Sequence, residues 1–262
     1  MPIHSTDISL SLQGASSEIA VITLNRPAKR NALNDGLILA IRDMFQAMPH
    51  GVRAAVIHGS GDHFCAGLDL SELSERDAGQ GLHHSRMWHS ALECVQYGPV
   101  PVVAALHGAV VGGGLELAST CHIRVADESA FFALPEGSRG IFVGGGGSVR
   151  IPRLIGAARM ADMMFTGRVY KAPEAERIGL TQYLVPQGTA LEKAMELAAR
   201  IAQNAPLTNY ALMHALPRIA EQPADQGYLT EAMMAAIAQS DPEAKTRVRA
   251  FLEGRANKVS KD

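Results

Sequence analysis

Between Val100 and Leu117 the chain reads VPVVAALHGAVVGGGLEL, apolar almost throughout but interrupted by Pro101, His107 and four glycines. Those breaks exclude a membrane span. They predict a buried strand, Val102–Leu106, that turns through glycines into a helix over Gly112–Thr120. A strand feeding a helix through a tight turn is the unit of an α/β fold, because the crossover returns the next strand parallel to the first. The flanking sequence repeats the alternation. Ile8–Leu12 and Ile19–Asn25 are β-like, Leu33–Met48 carries apolar residues at helical spacing behind an Asn34 cap, and Ala54–His58 is again β-like. A polar stretch, Ser71–Gly81, precedes a helix from about Leu82 to Tyr97.

From about Ala157 the pattern turns almost wholly helical, over Ala190–Gln203, Pro206–Glu221, Gly227–Ser240 and Pro242–Leu252, with only Leu180–Val185 strand-like. The expected architecture is an α/β core over residues 1–200 followed by a helical segment over 201–262. That segment holds more apolar surface than a lone short bundle needs, which points to self-association. A net charge of −2 over 262 residues argues against nucleic acid as a partner, since such binders need a basic face. Cys65, Cys94 and Cys121 lack framework spacing, which suits a reducing compartment. Met1–Ser11 has neither the basic nor the apolar part of a secretion signal. A soluble cytoplasmic chain with no membrane partner is therefore expected.

Three segments could carry chemistry. In HGAVVGGGLEL, His107–Leu117, consecutive glycines open a helix whose first amides have no internal partner, a good place for an anion. Neither this run nor Gly144–Gly147 has the spacing of a dinucleotide or P-loop fingerprint. Close strand–helix packing would also explain the glycines, but not Glu116, an acid that is costly to bury among Leu115, Leu117 and Ala118 without a task. In GSGDHFCAGLDL, Gly59–Leu70, a glycine at 67 would turn the Leu68 amide toward a ligand; a plain turn is the alternative. Two amides from separate loops are what an oxyanion hole requires. In FFALPEGSRGIFVGGGGSVR, Phe131–Arg150, Glu136 stands among aromatic and aliphatic residues that should raise its pKa, unless it caps a helix or pairs with Arg139 or Arg150.

Metal and nucleophile chemistry find less support. His83, His84 and His89 share a helix without i, i+4 spacing or an H-E-x-x-H motif, so no metal is expected. No G-x-S-x-G is present, and Cys65 and Cys121 lie in apolar contexts where thiols are usually inert.

Taken together, these segments resemble the crotonase (enoyl-CoA hydratase/isomerase) superfamily. Asn25-Arg26-Pro27 with Asn31-Ala32-Leu33 looks like its N-R-P-x-x-x-N-A-L motif. Phe64–Leu70 is similar to F-x-A-G-x-D-[LI], Val110–Glu116 to its glycine run ending in glutamate, and Leu134-Pro135-Glu136 to its second acidic position. The four occur in order at compatible spacings, and the resemblance spans nearly the whole chain.

The resemblance implies a ββα spiral core with a C-terminal trimerisation segment, and trimers that pair into hexamers. It implies Glu116 and Glu136 as acid–base pair and the Leu68 and Gly113 amides as oxyanion hole. CoA, part of the substrate and not a separate cofactor, would lie near Arg26, Lys29, Arg30, Ala66, Asp69 and Leu70. Met87, Trp88 and Phe142 are candidates for the acyl end. The activity implied is hydration of an α,β-unsaturated acyl-CoA or its reverse. Δ3-Δ2 isomerisation, thioester hydrolysis and non-catalytic acyl-CoA binding are the alternatives, with the retained pair of acids favouring hydration. Two departures stand out. The family's basic residue soon after the C-terminal Phe has no direct counterpart, leaving Arg255 or Lys258 as candidate stand-ins, and Leu68 is bulkier than the alanine common there.

Overall fold

The computed structural model describes residues 6–72 and 75–255. A six-stranded sheet is ordered β1 (Ile8–Gln13), β2 (Ile19–Leu24), β3 (Ala54–Gly59), β4 (Val102–Leu106), β6 (Ile123–Asp127) and β9 (Tyr183–Val185). β1 runs antiparallel to β2, and every later pairing is parallel. A second sheet joins β5 (Ala109–Val111), β7 (Phe131–Ala133) and β8 (Tyr170–Lys171).

Side-chain alternation along the strands builds two apolar layers. Ile19 and Val21, Ala54 and Val56, and Val103 and Ala105 face one side. There they meet Ala194, Leu197 and Ala198 of α7 (Ala190–Ala202). Ala20, Ile22 and Leu24, Ala55 and Ile57, and Val102, Ala104 and Leu106 face the other side and join the main core. That core includes α1 (Asp35–Gln46), α2 (Ala78–Gln96), α3 (Gly113–Thr120), α4 (Gly147–Ile155), α5 (Ala157–Thr166) and α6 (Ala172–Arg177). Because both faces are covered, the strands are nearly continuous in apolar residues.

Sequence patterning locates α1 well, and Asn34 caps it by accepting from the Leu37 amide at 2.8 Å. α2 begins four residues earlier than expected, because Asp77 and Gln80 form a capping box. The short strands β6, β7 and β8 had no clear sequence signal.

The chain divides into two compact units, one ending at Ala202 and the other beginning at Gln203. The second contains α8 (Pro206–His214), α9 (Leu216–Ile219), α10 (Ala224–Ser240) and α11 (Pro242–Leu252). The stretch expected as one helix, Pro206–Glu221, is broken at Ala215, just before the ring of Pro217. Asp241 ties this unit together, accepting from Glu243 at the start of α11 and from Leu207 in α8. Leu229, Met233 and Ile237 form an exposed apolar stripe at helical spacing on α10. No helix among the described residues is long and apolar enough to cross a membrane.

Candidate active site

The segment Phe64–Asp69 is threaded between the start of α1 and β5. Leu33 donates to the Gly67 carbonyl and accepts from the Asp69 amide, both at 2.7 Å. On the other side Cys65 exchanges hydrogen bonds with Ala109 and Val111. The Leu68 amide, between the two bonds to Leu33, has no acceptor among the described residues. Gly67 makes this path possible: its φ is +96°, and a β-carbon there would stand 2.8 Å from the Val111 carbonyl oxygen.

The second loop arrives from β5. Gly112, with φ +52°, turns the strand into α3 and leaves the Gly113 amide as the first, unpaired donor of that helix. A β-carbon built on Gly113 would lie 3.6 Å from the Leu68 nitrogen, so the two donors are close neighbours. Two such amides bordering one cavity can stabilise negative charge on an oxygen between them.

That cavity holds about 240 Å³ and is lined by Leu68, Gly113, Trp88, Glu116, Glu136 and the loop Ile141–Gly145, among others. Glu116, on the first turn of α3, is buried, and its Oε1 accepts from the Gly145 and Gly147 amides at 2.8 Å each. Burial raises its pKa, while those amides and the Arg150 charge pull it back. Glu136 follows Pro135 at the end of β7. Its Oε2 is buried without a hydrogen-bond partner. Burial first, and the nearby Glu116 charge as well, push its pKa up to about 7. No ion pair to Arg139 or Arg150 forms; Arg150 instead bonds the Gln96 side chain and the Gly145 carbonyl.

Arg26 is engaged within the chain: its three nitrogens reach Asp7, Asp69 and the Ala32 carbonyl. Asp69 is buried and bonded to Ser71, Arg26 and Lys29, with the Ser71 hydroxyl foremost in holding its carboxyl well below the usual range. Lys29 and Arg30 are exposed, as is Leu70, while Ala66 is half-buried. Met87 packs against the core and does not line the cavity. Gly81, His84, Ser85 and Trp88 do, at helical spacing, and Met87 is rotated about 100° from that face. Phe142 lines the cavity and is largely exposed.

Sequence reading had not singled out Arg76, Ser85 or Asp35. The Asp35 Oδ1 accepts from Trp88 Nε1 at 2.9 Å and meets His84 Nε2 at 2.8 Å, fixing both pocket residues. No group of three potential ligands is placed to hold a metal among the described residues. Arg255 is exposed, whereas Lys258 lies outside the described residues.

Comparison with known proteins accords with this geometry. The family described as enoyl-CoA hydratase/isomerase matches residues 14–261. Enoyl-CoA hydratase EchA19 of Mycobacterium tuberculosis is 33% identical over 244 residues, covering 90% of this chain and 91% of its own. A crystal structure from Rhodopseudomonas palustris, with a provisional enoyl-CoA hydratase assignment, superposes with a TM-score of 0.91 at 61% identity, over 95% of each chain. The enoyl-CoA hydratase structure from Bacillus anthracis gives a TM-score of 0.86 at 31% identity, over 97% of this chain and 99% of that one.

Proposed function

This chain belongs to the enoyl-CoA hydratase/isomerase family, and from that premise we propose that it adds water across the α,β double bond of an acyl-CoA thioester, or runs the reverse. The observation that carries the reading is the pair of acids. Glu116 and Glu136, both with raised pKa, line one cavity with two amides that lack acceptors among the described residues.

The thioester oxygen sits between the Leu68 and Gly113 amides. Glu116, oriented by Gly145 and Gly147, takes a proton from water as the hydroxyl bonds to the β-carbon. The displaced π electrons move onto the carbonyl oxygen as an enolate, which the amides stabilise. Glu136, holding a proton at neutral pH, delivers it to the α-carbon, and the carbonyl reforms. Isomerisation needs only one such acid, so a second acid with its own proton favours hydration.

Lys29 and Arg30 are exposed cations that could meet the CoA phosphates, and the Ala66 amide of the neighbouring loop donates to the Arg30 carbonyl at 3.0 Å. No cofactor beyond the CoA of the substrate is invoked. The exposed stripe on α10, with Phe251 and Leu252 exposed on α11, supports a trimer-based assembly.

Incubating the enzyme with a panel of enoyl-CoAs in 18O-water tests the reading by product mass. Hydration adds labelled water to the acyl chain, isomerisation adds no mass, and hydrolysis labels a free acid. Either of the last two outcomes, without the first, would overturn it.

A further inference from the structure

The cavity that holds the two glutamates also carries a cation that hydration does not use. Arg76 lines it, immediately before the Asp77 cap of α2, and is half-buried. Further along α2 the wall continues through Gly81, His84, Ser85 and Trp88, and the Trp88 ring comes against Gly113 at the amide loop. Gly81 precedes Trp88 by about 10 Å of helix, and the Arg76 backbone lies earlier still.

Arg76 has no carboxylate at ion-pair distance among the described residues. Its charge is felt by Asp35, but that carboxylate is already bonded to His84 and Trp88. The two acids that line the cavity are occupied differently: Glu116 is bonded by two amides, and the pKa of Glu136 is pushed up to about 7 by burial. A guanidinium partly withdrawn from water without a partner is costly, and its planar fork fits a carboxylate in bidentate fashion. Neither the carbonyl oxygen nor the attacking water needs this charge, since amides and glutamates serve them.

We infer that the acyl chain taken by this cavity carries a carboxylate of its own, and that Arg76 selects it. The preferred ligand is a dicarboxylic acyl thioester, one end joined to CoA and the other paired with Arg76. This rests on the acyl-thioester reading of the cavity, but not on the chemistry performed there.

Calorimetric binding of non-reacting saturated thioesters tests it directly, with glutaryl-, adipyl- and suberyl-CoA against hexanoyl-CoA. The native enzyme should bind at least one of the dicarboxylic thioesters more tightly than hexanoyl-CoA. Arg76→Leu should weaken that ligand by roughly 10- to 100-fold while changing hexanoyl-CoA by less than about twofold. Arg76→Lys should recover part of the loss. Equal losses for both ligand classes would assign Arg76 to CoA or to the fold and overturn the proposal. So would a native preference for hexanoyl-CoA over all three, a result that needs no variant to fold. Parallel turnover assays with hexenedioyl-CoA and hexenoyl-CoA separate the two readings. If neither is hydrated while carboxylate-selective binding persists, hydration fails and the Arg76 assignment stands.

Discussion

Arg150 reaches Glu116 through a single glycine. Its Nη1 donates to the Gly145 carbonyl at 2.9 Å, and the Gly145 amide donates to Glu116 Oε1 at 2.8 Å. Arg150 therefore positions the proposed base without touching substrate. Arg150→Met should lower kcat by about tenfold with little change in KM. Losing a nearby positive charge should also raise the Glu116 pKa further, moving the acidic limb of the kcat profile to higher pH. A drop in kcat with an unmoved limb would reduce Arg150 to a packing role.

The two glutamates should be separately indispensable. Glu116→Gln and Glu136→Gln are each expected to slow hydration by at least about 100-fold, the usual contribution of a general acid or base. Binding of CoA, followed by calorimetry, should barely change. Near-normal turnover in either variant would remove that residue from the mechanism.

Glu136 also makes a pH signature. Its carboxyl works as an acid only while protonated, so hydration should fall as pH rises through about 7. The stability sign is fixed by the same shift. Between the unfolded value near 4.5 and the folded value near 7 the folded protein holds the extra proton, so stability contributed by this group is lost as pH rises across that window. Glu136→Gln, which cannot ionise, should match the native Tm near pH 4 and exceed it by several degrees near pH 8. Equal Tm values at both pH values would contradict the raised pKa.

Backbone donors require a backbone test. An amide-to-ester replacement at Gly113 removes one hydrogen and nearly preserves shape. It should lower kcat by roughly 10²–10³ with little change in substrate affinity, because the bond strengthens as the enolate forms. Leu68→Ala leaves its amide in place and should be mild for short acyl groups. The reverse pattern would move the carbonyl away from these two donors.

Assembly can be read by light scattering. The apolar stripe Leu229, Met233 and Ile237 predicts self-association, and the trimer-based assembly proposed above predicts a multiple of three chains at micromolar concentration. Met233→Glu should then dissociate the oligomer, and a native monomer would exclude the trimer.

Much of this protein is decided by near neighbours in the chain. The Asn34 cap, the alternation that gives each central strand two apolar faces, and the glycines before Glu116 are all local patterns, and they are legible without a structure. The strength of the motifs likewise placed Glu116, Glu136, Leu68 and Gly113 together before any geometry. Tertiary structure alone decided which groups those residues meet. Arg26 and Asp69 pair across 43 positions, a contact that no local pattern announces. Glu116 takes its amides from 29 and 31 residues further on, and Arg76 joins the same cavity from beyond another helix. Short strands such as β7 form only because a partner strand satisfies their amides, three residues being too few to carry a pattern of their own. A local sequence window specifies dihedral angles and faces, whereas a partner's distance depends on how the whole chain closes, and chemistry depends on that distance.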